Sequence, residues 1–198
     1  MRIIGVTGPT GAGKSLFSKI LSERAIPTID ADRVYHDMLL PPSECLDAIR
    51  SAFGDSVFAH DGSLDRKMLG EVVFSDPEKL ELLNSTVLTR VIAKIKKMIR
   101  EYESRGFDSV AVDAPTLIES GFNAECSCVI SVLAPKELRA QRIVERDAIS
   151  ADTAELRISA QKDDSFYIEH SDYVLYNNEN YESFKSDALS LFARLGLS

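Results

Sequence analysis

Between an apolar run, Arg2 to Thr7, and a segment from Lys14 to Arg24 whose Leu16, Phe17, Ile20 and Leu21 recur at helical spacing, the chain carries Gly8-Pro9-Thr10-Gly11-Ala12-Gly13-Lys14-Ser15. This octapeptide satisfies G-x-x-x-x-G-K-[ST] and lies in the strand-to-helix setting that gives the pattern its meaning. Its glycines let the backbone wrap an anion with N–H groups inward, and the start of the helix adds partial positive charge. Lys14 supplies a cation for the β and γ phosphates of a nucleoside triphosphate, and the Ser15 hydroxyl a ligand for Mg²⁺. The residues expected to bind nucleotide here are Gly11, Ala12, Gly13, Lys14, Ser15 and Leu16, with the metal at Ser15.

The rest of the pattern supplies the sheet that such a loop needs. Pro27-Thr28-Ile29, Ser109 to Asp113, Ser127 to Leu133 and Tyr173 to Tyr176 read as short strands, and helical spacing falls between them. Helices are expected over residues 43 to 53 and 65 to 74, on either side of an Asp61-Gly62 turn, and then from Pro77 to about Ser104, Pro135 to Arg146 and Tyr181 to Leu195. The longest of these carries an apolar stripe of Leu80, Leu83, Val87, Val91, Ile95 and Met98. Strands separated by helices imply parallel pairing, hence an α/β fold with helices on both faces of the sheet.

At 198 residues the chain fits one domain, large enough to bury a core without disulfide or metal staples. Lys and Arg number 23 against 31 Asp and Glu, a net charge of -8 that disfavours a general affinity for nucleic acid. Cys45, Cys126 and Cys128 complete no zinc spacing and read as buried free thiols, which suit a reducing compartment. No apolar run approaches the ~20 residues of a membrane helix, and the start of the chain does not read as a signal peptide. A cytoplasmic location is expected.

Phosphoryl transfer also needs an acceptor held in line and a group to take its proton. Asp30 and Asp32 follow the second strand, as helix caps or as catalytic carboxylates; the catalytic reading is favoured for Asp32 and the capping one for Asp30. Asp113 ends an apolar strand and needs a partner there, for which Lys14 or Mg²⁺-bound water would serve. Arg142 and Arg146, one helical turn apart, suggest a lid that clamps phosphates, with Arg157 following. Lys94, Lys96, Lys97 and Arg100 read as a solvated face, the alternative being a dock for an anionic substrate. His36 is as consistent with a structural role as with a substrate contact.

At this point the residues resemble a known family, dephospho-coenzyme A kinase. The resemblance rests on Gly8 to Ser15, on Asp30-Ala31-Asp32-Arg33-Val34-Tyr35-His36, on Asp61 to Gly70 with its Leu64-Asp65-Arg66, and on Val73 to Glu78. It continues through Leu83-Asn84, Asp113-Ala114-Pro115, Ala134-Pro135, Arg142 with Arg146-Asp147, Arg157-Ile158 with Ala160-Gln161, and Asp172 with Asn177. It implies a five-stranded parallel core of the kind shared by nucleoside and nucleotide kinases, a helical acceptor-binding region at about 60–105 and a lid at about 140–165. It further implies ATP and dephospho-coenzyme A as substrates, Mg²⁺ as cofactor, Asp32 as the base that takes the ribose 3′-hydroxyl proton, and Arg142 and Arg146 at ATP. Asp32, His36, Asp65, Arg66 and Asp113 then fall on the acceptor side. The chain departs from the family pattern at Leu88-Thr89, where a His-Pro pair is usual, and at Tyr167, commonly Lys or Arg. Kinases of a nucleoside, shikimate or gluconate are the rival readings, followed by a tRNA prenyl transferase, which the charge disfavours, and a regulatory NTPase.

Overall fold

The computed structural model describes residues 1–197. In chain order the elements are β1 (Arg2–Thr7), α1 (Lys14–Glu23), β2 (Thr28–Asp30), α2 (Ala31–Met38), α3 (Glu44–Phe53), α4 (Arg66–Phe74), α5 (Pro77–Ser104), β3 (Ser109–Asp113), β4 (Cys128–Leu133), α6 (Lys136–Asp147), α7 (Ala151–Ser159), α8 (Asp164–Glu169), β5 (Tyr173–Tyr176) and α9 (Tyr181–Leu195). They form two compact units, Met1–Asp30 together with the chain from Glu101 onward, and Ala31–Arg100.

The first unit is built on one five-stranded sheet in the order β2-β3-β1-β4-β5, with every neighbouring pair parallel. Such a sheet is covered on both faces, and so β4 is buried at all six positions. β1 is its central strand. The chain adds β2 and β3 on one side of it and β4 and β5 on the other, so the carboxyl end of β1 opens into the crevice where the winding changes side. Two buried hydroxyls within the sheet are satisfied, Thr7 Oγ1 donating to the Pro115 carbonyl at 3.2 Å and the Ser131 and Ser171 hydroxyls meeting at 2.6 Å, whereas the Thr28 hydroxyl in β2 is buried without a partner among the described residues.

One face of the sheet packs on α1 and α9 through Phe17, Ile20, Leu21, Phe184, Ala188 and Phe192. Phe17 has no solvent exposure and lies with its ring centroid 6.5 Å from Phe184 and 5.6 Å from Phe192, within the range of favourable aromatic pairs.

The second unit is helical. Its helix starts are capped by side chains: Ser43 accepts from the Cys45 and Leu46 amides, Asp65 from Lys67 and Met68, and Asp76 from Glu78 and Lys79. α5 runs from Pro77, as its sequence implies, and buries Val87, Val91, Ile95 and Ile99, so that Ile99 rather than Met98 ends the buried stripe. The Asp61-Gly62 turn closes a small antiparallel bridge between Phe58 and Leu64, with Asp61 Oδ1 accepting from the Ser63 amide and hydroxyl.

Element bounds differ from the sequence expectation by a residue or two. β2 is Thr28–Asp30, and α6 starts at Lys136, because Pro135 has no N–H and an extended ψ of 144° and so stands outside the helix. The short α8 carries too few residues to show a period.

Replacing Phe17 by Ala should lower the free energy of unfolding by about 3–5 kcal/mol, read as a fall in the urea midpoint with an unchanged slope. The three cysteines are free, and burial raises all three thiol pKa values, that of Cys126 to about 12. The fold therefore favours the neutral thiols. Their stabilising contribution is complete below the ordinary value of 9.0 and is lost as pH climbs from there toward 12, which pH-dependent urea unfolding of wild type and Cys126→Ala would measure.

Candidate functional site

The loop from Gly8 to Gly13 leaves the end of β1 and enters α1 at Lys14. Gly8 has φ +136°, and a Cβ there would stand 2.2 Å from the Val132 carbonyl oxygen on the neighbouring strand, so only glycine fits. Gly13 caps α1 in the left-handed region. Lys14 Nζ donates to the Gly8 carbonyl at 2.9 Å, which draws the ammonium back across the loop it belongs to. A cavity of about 220 Å³ opens here, lined by Pro9, Thr10, Gly11, Gly13, Lys14, Ser15, Arg142 and Arg146. Three cations and no carboxylate line it, in a chain whose net charge is -8. Ser15 is exposed at the first turn of α1 and, among the described residues, its hydroxyl has no hydrogen-bond partner.

Two residues read with the loop serve it from behind. Ala12 is fully buried, and the Leu16 amide donates to the Gly13 carbonyl at 3.0 Å while its side chain packs on the core beneath α1. Neither lines the cavity.

α6 presents Arg139, Arg142 and Arg146 at steps of three and four, hence on one face. Arg142 Nη1 donates to the Gly11 and Ala12 carbonyls at 3.3 and 3.4 Å, and Nη2 to the Asn177 carbonyl at 3.2 Å. Burial lowers its pKa. Arg146 makes a two-toothed ion pair with Asp147 at 2.7 and 3.0 Å, and Arg157 from α7 reaches the same carboxylate at 2.6 Å. These hydrogen bonds, that of Arg146 foremost, hold the Asp147 carboxyl below its usual range. α6 and α7 share a separate small core of Ile143, Ala154 and Ile158.

Spacing alone did not single out Arg139. It is buried, with Nε donating to the Thr10 carbonyl at 3.0 Å. Asn177, whose Nδ2 donates to the Ala12 carbonyl at 2.9 Å, and Gln161, which accepts from the Thr10 amide at 3.0 Å, carried no assigned role.

Asp113 ends β3 in register with Val6 on one side and Asp30 on the other, placing two carboxylates side by side at the edge where β1 runs into the loop. Its Oδ2 accepts from the Ser18 hydroxyl at 2.9 Å, a partner from α1 that the sequence reading did not anticipate.

The other expected residues belong to the helical unit. Asp32 and His36 are exposed, one turn apart, on the same side of α2. Asp65 uses its Oδ1 to cap α4 with two bonds of 3.0 Å, and Arg66 is exposed at the first position of that helix. The unit also contains a cavity of about 530 Å³ between α2, the start of α3 and α5. Arg90, Lys94 and Lys97 line it, and among the described residues none of them has a carboxylate within ion-pair distance. It is reached from Val34, Asp37 and Met38, the side of α2 turned away from Asp32.

The family model for dephospho-CoA kinase matches residues 2–183. The chain belongs to the dephospho-CoA kinase family. A dephospho-CoA kinase of Carboxydothermus hydrogenoformans is 34% identical over 192 residues, covering 97% of this chain and 93% of that protein. The solved dephospho-CoA kinase of Campylobacter jejuni superposes with a TM-score of 0.71 at 27% identity, covering 98% of both chains. A shikimate kinase of Acinetobacter baumannii, at 17% identity and a TM-score of 0.56 over 100% of this chain and 96% of its own, shares the fold. The family is one of transferases, and the parallel sheet with its loop is its nucleotide-binding frame. At the family's usual His-Pro pair this chain shows an exposed Leu88, and Tyr167 is buried rather than offered as a cation.

Gly8→Ala, which meets both the positive φ and the Val132 carbonyl, should destabilise the protein by about 2 kcal/mol or more and weaken ADP binding in parallel, as read by thermal unfolding with and without Mg·ADP.

Proposed function

We propose that this chain transfers the γ-phosphate of ATP to the ribose 3′-hydroxyl of dephospho-CoA, giving CoA and ADP. The observation that carries the reading is the cavity of Lys14, Ser15, Arg142 and Arg146 in a chain matched across residues 2–183 by the dephospho-CoA kinase family. A triphosphate spreads its charge over many oxygens, and a pocket of loop amides and cations stabilises that charge as it shifts toward the leaving ADP.

Ser15 fits a Mg²⁺ ligand, since its hydroxyl is exposed and without a protein partner beside Lys14, and the ion would neutralise phosphate charge. Asp32 is the base of the reaction. β2 ends at Asp30, on the sheet edge where β1 runs into the loop, and Asp32 follows two residues later in the chain. Its carboxylate takes the 3′-hydroxyl proton as the ribose oxygen forms a bond to the γ-phosphorus and the bond from phosphorus to the β,γ-bridging oxygen breaks. Lys14 and Arg142 bind the phosphates. Arg146, in exchange for Asp147, completes the clamp from a lid formed by the chain at about 140–165. His36, Arg66 and Asp113 serve the acceptor side, and Asp65 serves it by fixing the start of α4 beside Arg66.

The substrates are small molecules, in keeping with the acidic charge, and three free thiols suit the cytoplasm. No helix among the described residues is long and apolar enough to cross a membrane.

Purified protein with Mg·ATP should release ADP rapidly with dephospho-CoA and only slowly with adenosine, shikimate or no acceptor, with the product mass raised by one phosphoryl group. Asp32→Asn should lower kcat by about 10²–10⁴ while leaving ADP affinity unchanged. Turnover with another acceptor alone, or undiminished turnover by Asp32→Asn, would overturn the substrate or the base respectively.

A further inference from the structure

A phosphate loop binds anions with its amides only if the carbonyls between them point elsewhere. The peptide unit is planar and trans, so turning a carbonyl outward turns the next residue's N–H inward. In this chain three successive loop carbonyls are held by side chains: Thr10 by Arg139 Nε at 3.0 Å, Gly11 by Arg142 at 3.3 Å, and Ala12 by Asn177 Nδ2 at 2.9 Å and Arg142 at 3.4 Å. By that geometry the amides of Gly11 and Gly13 turn away from the groups that hold the carbonyls before them, while the Ala12 amide donates to the Pro9 carbonyl at 3.3 Å.

Arg139 stands apart within this set. Its side chain is 5% exposed, and it is the one charged residue among the buried polar residues described. Burying a guanidinium is costly unless its donors are used, and desolvation lowers its pKa. All three arms are used. Besides the Thr10 carbonyl, Nη2 donates to Gln161 Oε1 at 3.2 Å and Nη1 stands 3.6 Å from Asp164. Gln161 Oε1 in turn accepts from the Thr10 amide at 3.0 Å, so one side-chain pair grips both the N–H and the C=O of a single loop residue. The loop also rests on α6 itself, because a Cβ on Gly11 would meet the Arg139 carbonyl oxygen at 2.7 Å.

We infer that Arg139 and Gln161 are positioning residues for phosphoryl transfer, a buried clamp on Thr10 that presets the phosphate loop for the β and γ phosphates. The inference rests on the proposed kinase reaction for its kinetic consequence but not for its binding consequence. Gln161 lies on the connection from α7 to α8, so a residue within the expected lid helps set the loop's shape.

The test compares Arg139→Ala, Arg139→Lys and the near-isosteric Gln161→Met with wild type. Two quantities are read: the calorimetric Kd for Mg·ADP without any acceptor, and the KM values for ATP and dephospho-CoA. The clamp predicts a Kd for Mg·ADP and a KM for ATP raised about ten-fold in Arg139→Ala and Gln161→Met, partial recovery in Arg139→Lys, and a KM for dephospho-CoA within about two-fold of wild type. Thermal midpoints establish that each variant is folded, and Gln161→Met carries the test should Arg139→Ala fail to fold. Folded variants with unchanged Mg·ADP affinity would overturn the clamp, as would equal losses toward both substrates. Because Mg·ADP binding needs no acceptor, a wild type inactive with dephospho-CoA would overturn the proposed reaction and leave the clamp to be judged on affinity alone.

Discussion

The architecture depends on backbone carbonyls that must not face the cavity. The loop from Gly8 to Gly13 has one more carbonyl oxygen than N–H groups, because Pro9 lacks the N–H, and each oxygen left pointing inward would repel the anion the loop is meant to hold. Arg142 and Asn177 resolve this from opposite ends of the sheet's second half, one from α6 after β4 and the other from the residue after β5. The strand order makes it possible: with β1 central and β4 and β5 added on one side, the chain returns twice to the flank of the loop that follows β1.

Much of this was legible in the residues. The glycine spacing from Gly8 to Ser15 determined the strand, the loop and α1, because the pattern is a backbone requirement and leaves few alternatives. Pro77 and the three-and-four stripe gave α5 its bounds, and apolar continuity gave β3 and β4. The roles of polar side chains were harder to read. Asp113 needed a partner, and one of them, Ser18, depends on α1 packing against β3. Asp65 turned out to cap α4, a role that any Asp before a helix could fill. Arg139 could not be distinguished from a solvated arginine by spacing, because its burial depends on the course of the chain after α7.

Electrostatics separates the two cation-rich places in the molecule. The cavity at the loop gathers Lys14, Arg142 and Arg146 on a backbone that already offers amides, so its cations and the start of α1 act in one direction. Arg90, Lys94 and Lys97 lie along one edge of α5, where like charges at helical spacing repel by a few tenths of a kcal/mol, with no such backbone behind them. The dephospho-CoA kinase family match covers both units, while the chemistry of nucleotide binding can be traced to particular atoms only in the first.

Asp147 has a consequence for the thermodynamics of occupancy. Arg146 does not wait at the cavity as a bare cation, since the neighbouring carboxylate already accepts from its Nε and Nη2 and from Arg157 Nη1. A polyphosphate that engages Arg146 therefore exchanges one counter-ion for another, losing part of the Coulomb gain to the displaced carboxylate. At Arg146 such an exchange depends less steeply on ionic strength than binding to a bare arginine would, because one ion pair is given up as another forms. Discrimination then comes from geometry: a tetrahedral phosphate that can also reach the loop amides succeeds where a lone carboxylate does not.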